Sequence, residues 1–221
     1  MIVLKIGGSL IATKNTQEDI NREYLKKIYI LLSAYKDILL IHGAGNVGHG
    51  FINAFGLSQE NKHQLRKNLD EYFQKIDTIF SDFQRVRLED VLNSESNFSL
   101  YPKVICGGDI TDDAKLISSD EGFAYFLHHS NVQESYILTD VDGVFDENKK
   151  IIETIDKNSC KNIQFRKKEG DVTGSMEQKI KKLFKERSDG KKIVWIINGN
   201  NLDNFKNIVT KKVGIGTKVY V

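Results

Sequence analysis

Five short apolar runs rich in isoleucine and valine recur along the chain: IVLKI (2–6), DILLIH (37–42), KVIC (103–106), SYILTDV (135–141) and KIVWIIN (192–198). Each is too continuous for a strand with one wet face and too short for a helix, the pattern of strands buried on both faces. Between them lie helical patterns. The clearest spaces Leu65, Leu69, Phe73, Ile76, Phe80 and Phe83 three or four residues apart and predicts one long helix over 58–83. Strands alternating with helices call for right-handed crossovers and a mainly parallel sheet. The expected fold is therefore α/β, a mainly parallel central sheet sandwiched by helices. GDITDDAKLIS (108–118) reads as a polar turn or hairpin and GTKVYV as a closing strand. With no internal repeat or Ser/Gly linker, the 221 residues are expected to form one domain. The sole proline, Pro102, marks the expected join between lobes at 1–103 and 104–221.

Two glycine turns follow strands. HGAGNVGHG (42–50) carries Gly43, Gly45 and Gly48 in the spacing G-x-G-x-x-G, bracketed by His42 and His49. A dinucleotide site of that spacing needs a second strand ending in an acid about 20 residues on, to bind the ribose. Here the chain continues as FINAFGLSQENKHQLRKNL, loop and then helix, and no such strand arrives. The physical content that remains is that these glycines let backbone amides approach an anion at a helix N-terminus. KIGGSL (5–10) is the other turn, with Lys5 before it, Ser9 after it and Lys14 a few residues on. Bare amides flanked by cations suit the equatorial oxygens of a transferring phosphoryl group. TDVDGVF (139–145) ends a strand in an Asp-Gly turn, a place where open α/β sheets bind ligands. GDVTGSMEQKI (170–180) opens a helix at Thr173, Gly174 and Ser175, with Lys179 about one turn inside. The pattern G-x-x-x-x-G-K-[ST] does not occur, which excludes the P-loop route to nucleotide binding.

Composition narrows the classes further. A net charge of +2, with lysines scattered among acids, offers no field for nucleic acid, and RKK (166–168) and KKLFK (181–185) read as solvated faces. Apolar runs stay well short of the roughly 18 residues a membrane span needs, and MIVLKIGGSL is broken too early by glycine for a signal peptide. A soluble, cytoplasmic protein with no membrane partner is expected. Cys106 and Cys160 have no metal-ligand spacing and read as structural free thiols. His42, His63, His128 and His129 read as surface or satisfied core residues; His49 differs because an anion loop surrounds it.

Taken together, KIGGSL, HGAGNVGH, GGDITDDAKLISSDEGFAYFL, TDVDGVF, GDVTGSMEQKI and INGNN resemble the amino acid kinase superfamily over nearly the whole chain. Within it they are most similar to the isopentenyl phosphate kinase branch, which is related to fosfomycin kinase, and the glycine loop ending in His49 carries that choice. The resemblance implies an ATP-dependent kinase that turns a small phosphate monoester into a diphosphate, isopentenyl phosphate first. A phosphonate or another small monophosphate is the alternative acceptor, and a catalytically inactive nucleotide-sensing module the second alternative. It further implies Mg²⁺ carried on the nucleotide's own oxygens, no metal held by protein ligands, an acceptor side at 1–103, an ATP side at 104–221, and a homodimer.

By the same resemblance, Lys5 and Lys14 contact the transferred phosphoryl and donor phosphates, beside the amides of Gly7, Gly8 and Ser9. Asp120 orients the catalytic lysines; Thr139, Asp140, Gly143 and Val144 line the adenine-nucleotide site, with Gly174 and Lys179 on the donor phosphates. Gly43, Ala44, Gly45, Gly48, His49, Gly108 and Asp109 hold the acceptor, with His49 as a positioning and charge-stabilising group. A phosphate acceptor is already anionic near neutral pH and needs no base, only an offset for its charge.

Three departures from the family pattern stand out. Gly43-Ala44-Gly45 replaces three glycines, which is mild provided Ala44 keeps a negative φ. SSDE (118–121) replaces a glycine and two aspartates and matches only at Asp120. The chain is short between 50 and 103, where family members house an apolar tail; Phe51, Phe55, Tyr72, Phe73, Ile76 and Phe80 are the candidates to line it.

Overall fold

The computed structural model describes residues 1–12, 20–93, 101–166, 176–185 and 190–221, apart from the side chains of Asn46 and His49. The first half runs β1 (Ile2–Ile6), α1 (Gly8–Ile11), α2 (Arg22–Leu32), β2 (Ile38–His42), α3 (Gly45–Phe55), α4 (Lys62–Asp77), β3 (Gln84–Arg85), α5 (Leu88–Asn93) and β4 (Lys103–Gly107). A two-stranded hairpin follows, β5 (Asp109–Ile110) and β6 (Leu116–Ile117), within the stretch expected to be a polar turn or hairpin. The rest is α6 (Ser119–His129), β7 (Glu134–Thr139), β8 (Thr154–Asp156), α7 (Met176–Leu183), β9 (Ile193–Asn198), α8 (Leu202–Lys211) and β10 (Thr217–Tyr220).

Among the described residues, eight strands form one sheet in the order β3-β4-β2-β1-β7-β9-β10-β8, parallel throughout except where β10 runs against β9. The expected α/β sandwich is what the chain forms. Strand parity explains the two cores. Ile2, Leu4, Ile6, Ile38, Leu40, Ile105, Tyr136, Leu138, Trp195 and Ile197 pack on one face with α2, α4 and α8. Val3, Leu39, Ile41, Val104, Cys106, Ile137, Val194 and Ile196 pack on the other with α5, α6 and α7. Because side chains alternate, Lys5 must fall on the α6 face and His42 on the α4 face.

Two elements differ from expectation. The helix predicted over 58–83 is α4, only Lys62–Asp77. Beyond it the Thr78 hydroxyl donates to the Lys75 carbonyl at 2.7 Å, and the chain turns through three-residue hydrogen bonds, Ile79 N to Ile76 O and Phe83 N to Phe80 O, both 2.9 Å. Such turns keep the three-residue apolar spacing, so Phe80 is buried without being helical. The stretch after the glycine loop is helix, not loop: α3 takes in Gly45–Phe55 despite three glycines. Leu65, Leu69 and Ile110, with Val47, Phe51 and Ile52 packed against them, form the small core that holds it, and tertiary packing overrides poor propensity.

Candidate active site

The parallel strands bring their carboxyl ends to one edge, where this class of sheet binds ligands. There the ladders run one residue past the strands: the Gly7 amide donates to Leu138 O at 2.8 Å, and the Gly43 amide to Ile6 O at 3.1 Å. This extra rung lays the two glycine turns against each other. A Cβ on Gly43 would sit 2.8 Å from Gly8 N and 2.9 Å from Gly8 Cα, a backbone clash that only glycine avoids. Gly45 has φ +55°, in the left-handed region, and a Cβ there would lie 2.7 Å from the Tyr72 hydroxyl. Ala44 keeps φ at −78°, so the exchange of glycine for alanine brings no backbone strain. As the N-cap of α3, Ala44 supplies no side-chain acceptor to that helix's leading amides, which therefore head the cleft with the helix dipole behind them.

A cleft of about 440 Å³ opens between these turns. Lys5, Gly7, Gly8 and Ser9 line it from the first loop, and Gly43, Ala44, Gly45 and Gly48 from the second. Gly108, Asp109, Asp120, Thr139 and Lys179 line it as well. Gly7's own amide is turned to the sheet, which leaves Gly8 and Ser9 at the head of α1.

Lys5 is 2% exposed, and its ammonium donates to Asp120 Oδ1 at 2.6 Å. Asp120 is placed for this by the SSDE departure itself. Ser118 caps α6: its hydroxyl accepts from Glu121 N at 3.2 Å while Glu121 Oε2 accepts from Ser118 N at 2.8 Å. Asp120 then sits in the first turn, facing the positive end of the helix dipole. Burial pushes its carboxyl upward, but the Lys5 ammonium, joined by Lys179 and Lys182, outweighs that and holds it below the usual carboxylate value.

Several residues fall outside this constellation. Lys14 and Gly174 lie outside the described residues, as does the side chain of His49, whose backbone is in α3 one turn after Gly45. Asp140 is exposed and does not line the cleft; Gly143 and Val144 are buried, with the Val144 amide donating to Thr217 Oγ1 at 2.8 Å. None of the six tail candidates lines the cleft: Tyr72, Ile76 and Phe80 are core and Phe55 is 69% exposed. Ile52, Leu69, Leu116 and Ile117 form the apolar wall instead. Ile52 and Leu69 are helix neighbours of candidates considered, while Leu116 enters through the hairpin, a contact across the chain that local spacing does not reveal. Lys182 was also missed. It follows Lys179 by three residues on α7, so both share a helix face, and its ammonium donates to Ser118 Oγ at 2.9 Å.

Among the described residues, no group of three or more His, Cys, Asp or Glu is placed to hold a metal ion. The two carboxylates lining the cleft are both engaged, Asp120 by Lys5 and Asp109 by Arg87 at 3.0 Å. No described helix is long and apolar enough to cross a membrane.

The chain is 27% identical to the isopentenyl phosphate kinase of Thermoplasma acidophilum, over 99% of this chain and 100% of that one. It is 25% identical to the [5-(aminomethyl)furan-3-yl]methyl phosphate kinase of Methanocaldococcus jannaschii, over 99% and 97%. A crystal structure of an isopentenyl phosphate kinase substrate complex superposes with a TM-score of 0.76 at 20% identity, covering 99% of this chain and 100% of that chain. The family model for the amino acid kinase family matches residues 1–90 and 83–198, and the chain belongs to that family.

Proposed function

We propose that the protein is an ATP-dependent kinase that phosphorylates a small phosphate monoester, isopentenyl phosphate, to the diphosphate. The observation that carries this reading is the meeting of two glycine turns beside the Lys5–Asp120 pair in one cleft. An acceptor phosphate oxygen forms a bond to the γ-phosphorus of ATP as the β–γ bridging bond breaks, and ADP leaves with the electron pair. Both reactants are anions, so the protein's task is to hold them in line and offset their charge. The leading amides of α3 receive the acceptor; Lys5, oriented by Asp120, meets the transferred group; Lys179 and Lys182 meet the donor. Mg²⁺ fits as a passenger on the nucleotide, since it binds largely through phosphate oxygens and water, and when bound it neutralises charge on the β and γ phosphates. The apolar wall of Ile52, Leu69 and Leu116 favours a hydrocarbon tail. Family resemblance extends the reading to a cytoplasmic homodimer.

One feature favours a second acceptor, a monophosphate with a polar tail. Asp109 lines the cleft and also a neighbouring cavity of about 340 Å³ walled by Asp70, Asp77, Arg85 and Arg87. ADP release from ATP and Mg²⁺, measured against isopentenyl phosphate, aminoalkyl and arylmethyl phosphates and simple phosphonates, decides between them. Turnover highest with isopentenyl phosphate supports the first reading; turnover confined to an amine-bearing phosphate replaces it with the second; release with none overturns both.

A further inference from the structure

His42 is buried and takes no part in the scheme above, yet it makes two directed contacts. Arg85 Nη1 lies 2.9 Å from its Nε2, and its Nδ1 lies 3.1 Å from the Gly43 carbonyl oxygen. A guanidinium can only donate. Nε2 must therefore carry the lone pair, and the single ring proton sits on Nδ1 and is donated to Gly43 O. The arginine is itself held: its Nε donates to both Asp77 oxygens, at 3.0 and 3.1 Å, and its Nη2 also bonds Oδ1. The imidazole is buried and packed on two sides. Phe73 meets it edge-on with ring centroids 4.8 Å apart, and a Cβ on Gly107 would lie 2.7 Å from its Cε1. Three elements, α4, β3 and β2, thus converge on one backbone oxygen.

That oxygen matters because of the peptide that follows it. In a trans peptide the carbonyl of Gly43 and the amide N–H of Ala44 point in opposite directions. Drawing the oxygen inward to His42 turns the Ala44 N–H outward, on the side where Ala44 lines the cleft, and removes a repulsive oxygen from an anion's path. We propose that His42 is a positioning residue: locked as its Nδ1–H tautomer by the Asp77–Arg85 pair, it holds the Gly43–Ala44 peptide in the orientation that receives the acceptor phosphate. This rests on the kinase reading for its consequence, though not for its geometry.

The test pairs substitutions that keep or lose the donor. His42→Asn retains an N–H near the Nδ1 position, whereas His42→Leu does not. The expected result is an acceptor KM within threefold of wild type for His42→Asn and raised tenfold or more for His42→Leu, with the ATP KM unchanged in both. Should His42→Leu fail to fold, Arg85→Met, altered at the cavity wall, is expected to raise the acceptor KM alone. Equal KM values in all variants, or acceptor and ATP KM rising together, overturn the proposal. Nitrogen NMR of the imidazole reads the tautomer with no substrate present: protonation at Nε2 overturns the assignment whatever the enzyme acts on, while an Nδ1–H tautomer without turnover indicts the kinase reading instead.

Discussion

The ammonium of Lys5 at the end of β1 and the carboxylate of Asp120 at the head of α6 lie 2.6 Å apart, joining residues 115 positions distant in the chain. Lys5 is the partner less tolerable alone, because a buried charge left unpaired costs several kcal/mol, whereas Asp120 keeps Lys179 and Lys182 nearby. Asp120→Ala is expected to destabilise the fold by about 3 kcal/mol and to abolish turnover. Lys5→Met is expected to lose at least a thousandfold in kcat while denaturant melts show a smaller loss of stability, since its long apolar stem is kept. Chemical denaturation alongside single-turnover kinetics checks both.

The contact between Gly43 and Gly8 makes a sharper prediction about space than about charge. Gly43→Ala introduces a methyl group 2.8–2.9 Å from the Gly8 backbone, and neither loop can retreat without breaking a rung to the sheet. The two turns are expected to part, with kcat/KM falling a hundredfold or more and the thermal midpoint changing by only a few degrees. Activity retained within fivefold would show that the turns are not set against each other as described.

His49, carried on α3 one turn beyond Gly45, is cast as the group that offsets charge on the acceptor. His49→Ala is expected to abolish phosphoryl transfer with little change in ATP affinity by calorimetry. Near-normal turnover in that variant removes the role.

Acid stability depends on His42. Burial, reinforced by the Arg85 charge and opposed only by the Gly43 carbonyl, holds its pKa well below the usual 6.5. The unfolded chain takes up a proton at this residue below about pH 6.5 and the native one does not, so stability is complete above that pH and declines below it. The unfolding constant is expected to rise about tenfold per pH unit from this site between pH 6 and the depressed native value. His42→Asn removes that slope. Asp120, held low by Lys5, adds its own loss only near and below pH 4. Urea titrations of both proteins from pH 7.5 to 5 check the first effect.

Much of the fold is legible in the sequence because buried parallel strands announce themselves: four of the five apolar runs match β1, β2, β4 and β9 to within a residue. Those runs also place Lys5 and the two glycine turns at strand ends. The two-residue β3 and three-residue β8 carry no periodicity to read, and α3 is disguised by its glycines. In the site, types that anions require were visible, whereas the apolar wall was not, since Leu116 reaches it through a hairpin closed from afar. There Arg66 on α4 ties down the hairpin through Glu89 and Asp112, at 2.7 and 3.0 Å. His42 reads as a core histidine until Arg85 is seen beside it.

The chemistry of the transferred group decides the function. Phosphorus NMR of isopentenyl phosphate incubated with ATP, Mg²⁺ and the protein is expected to show the paired doublets of a diphosphate growing in step with ADP, and to show neither with Lys5→Met. Release of inorganic phosphate with the monophosphate signal intact, or a product that forms equally well with Lys5→Met, would contradict it.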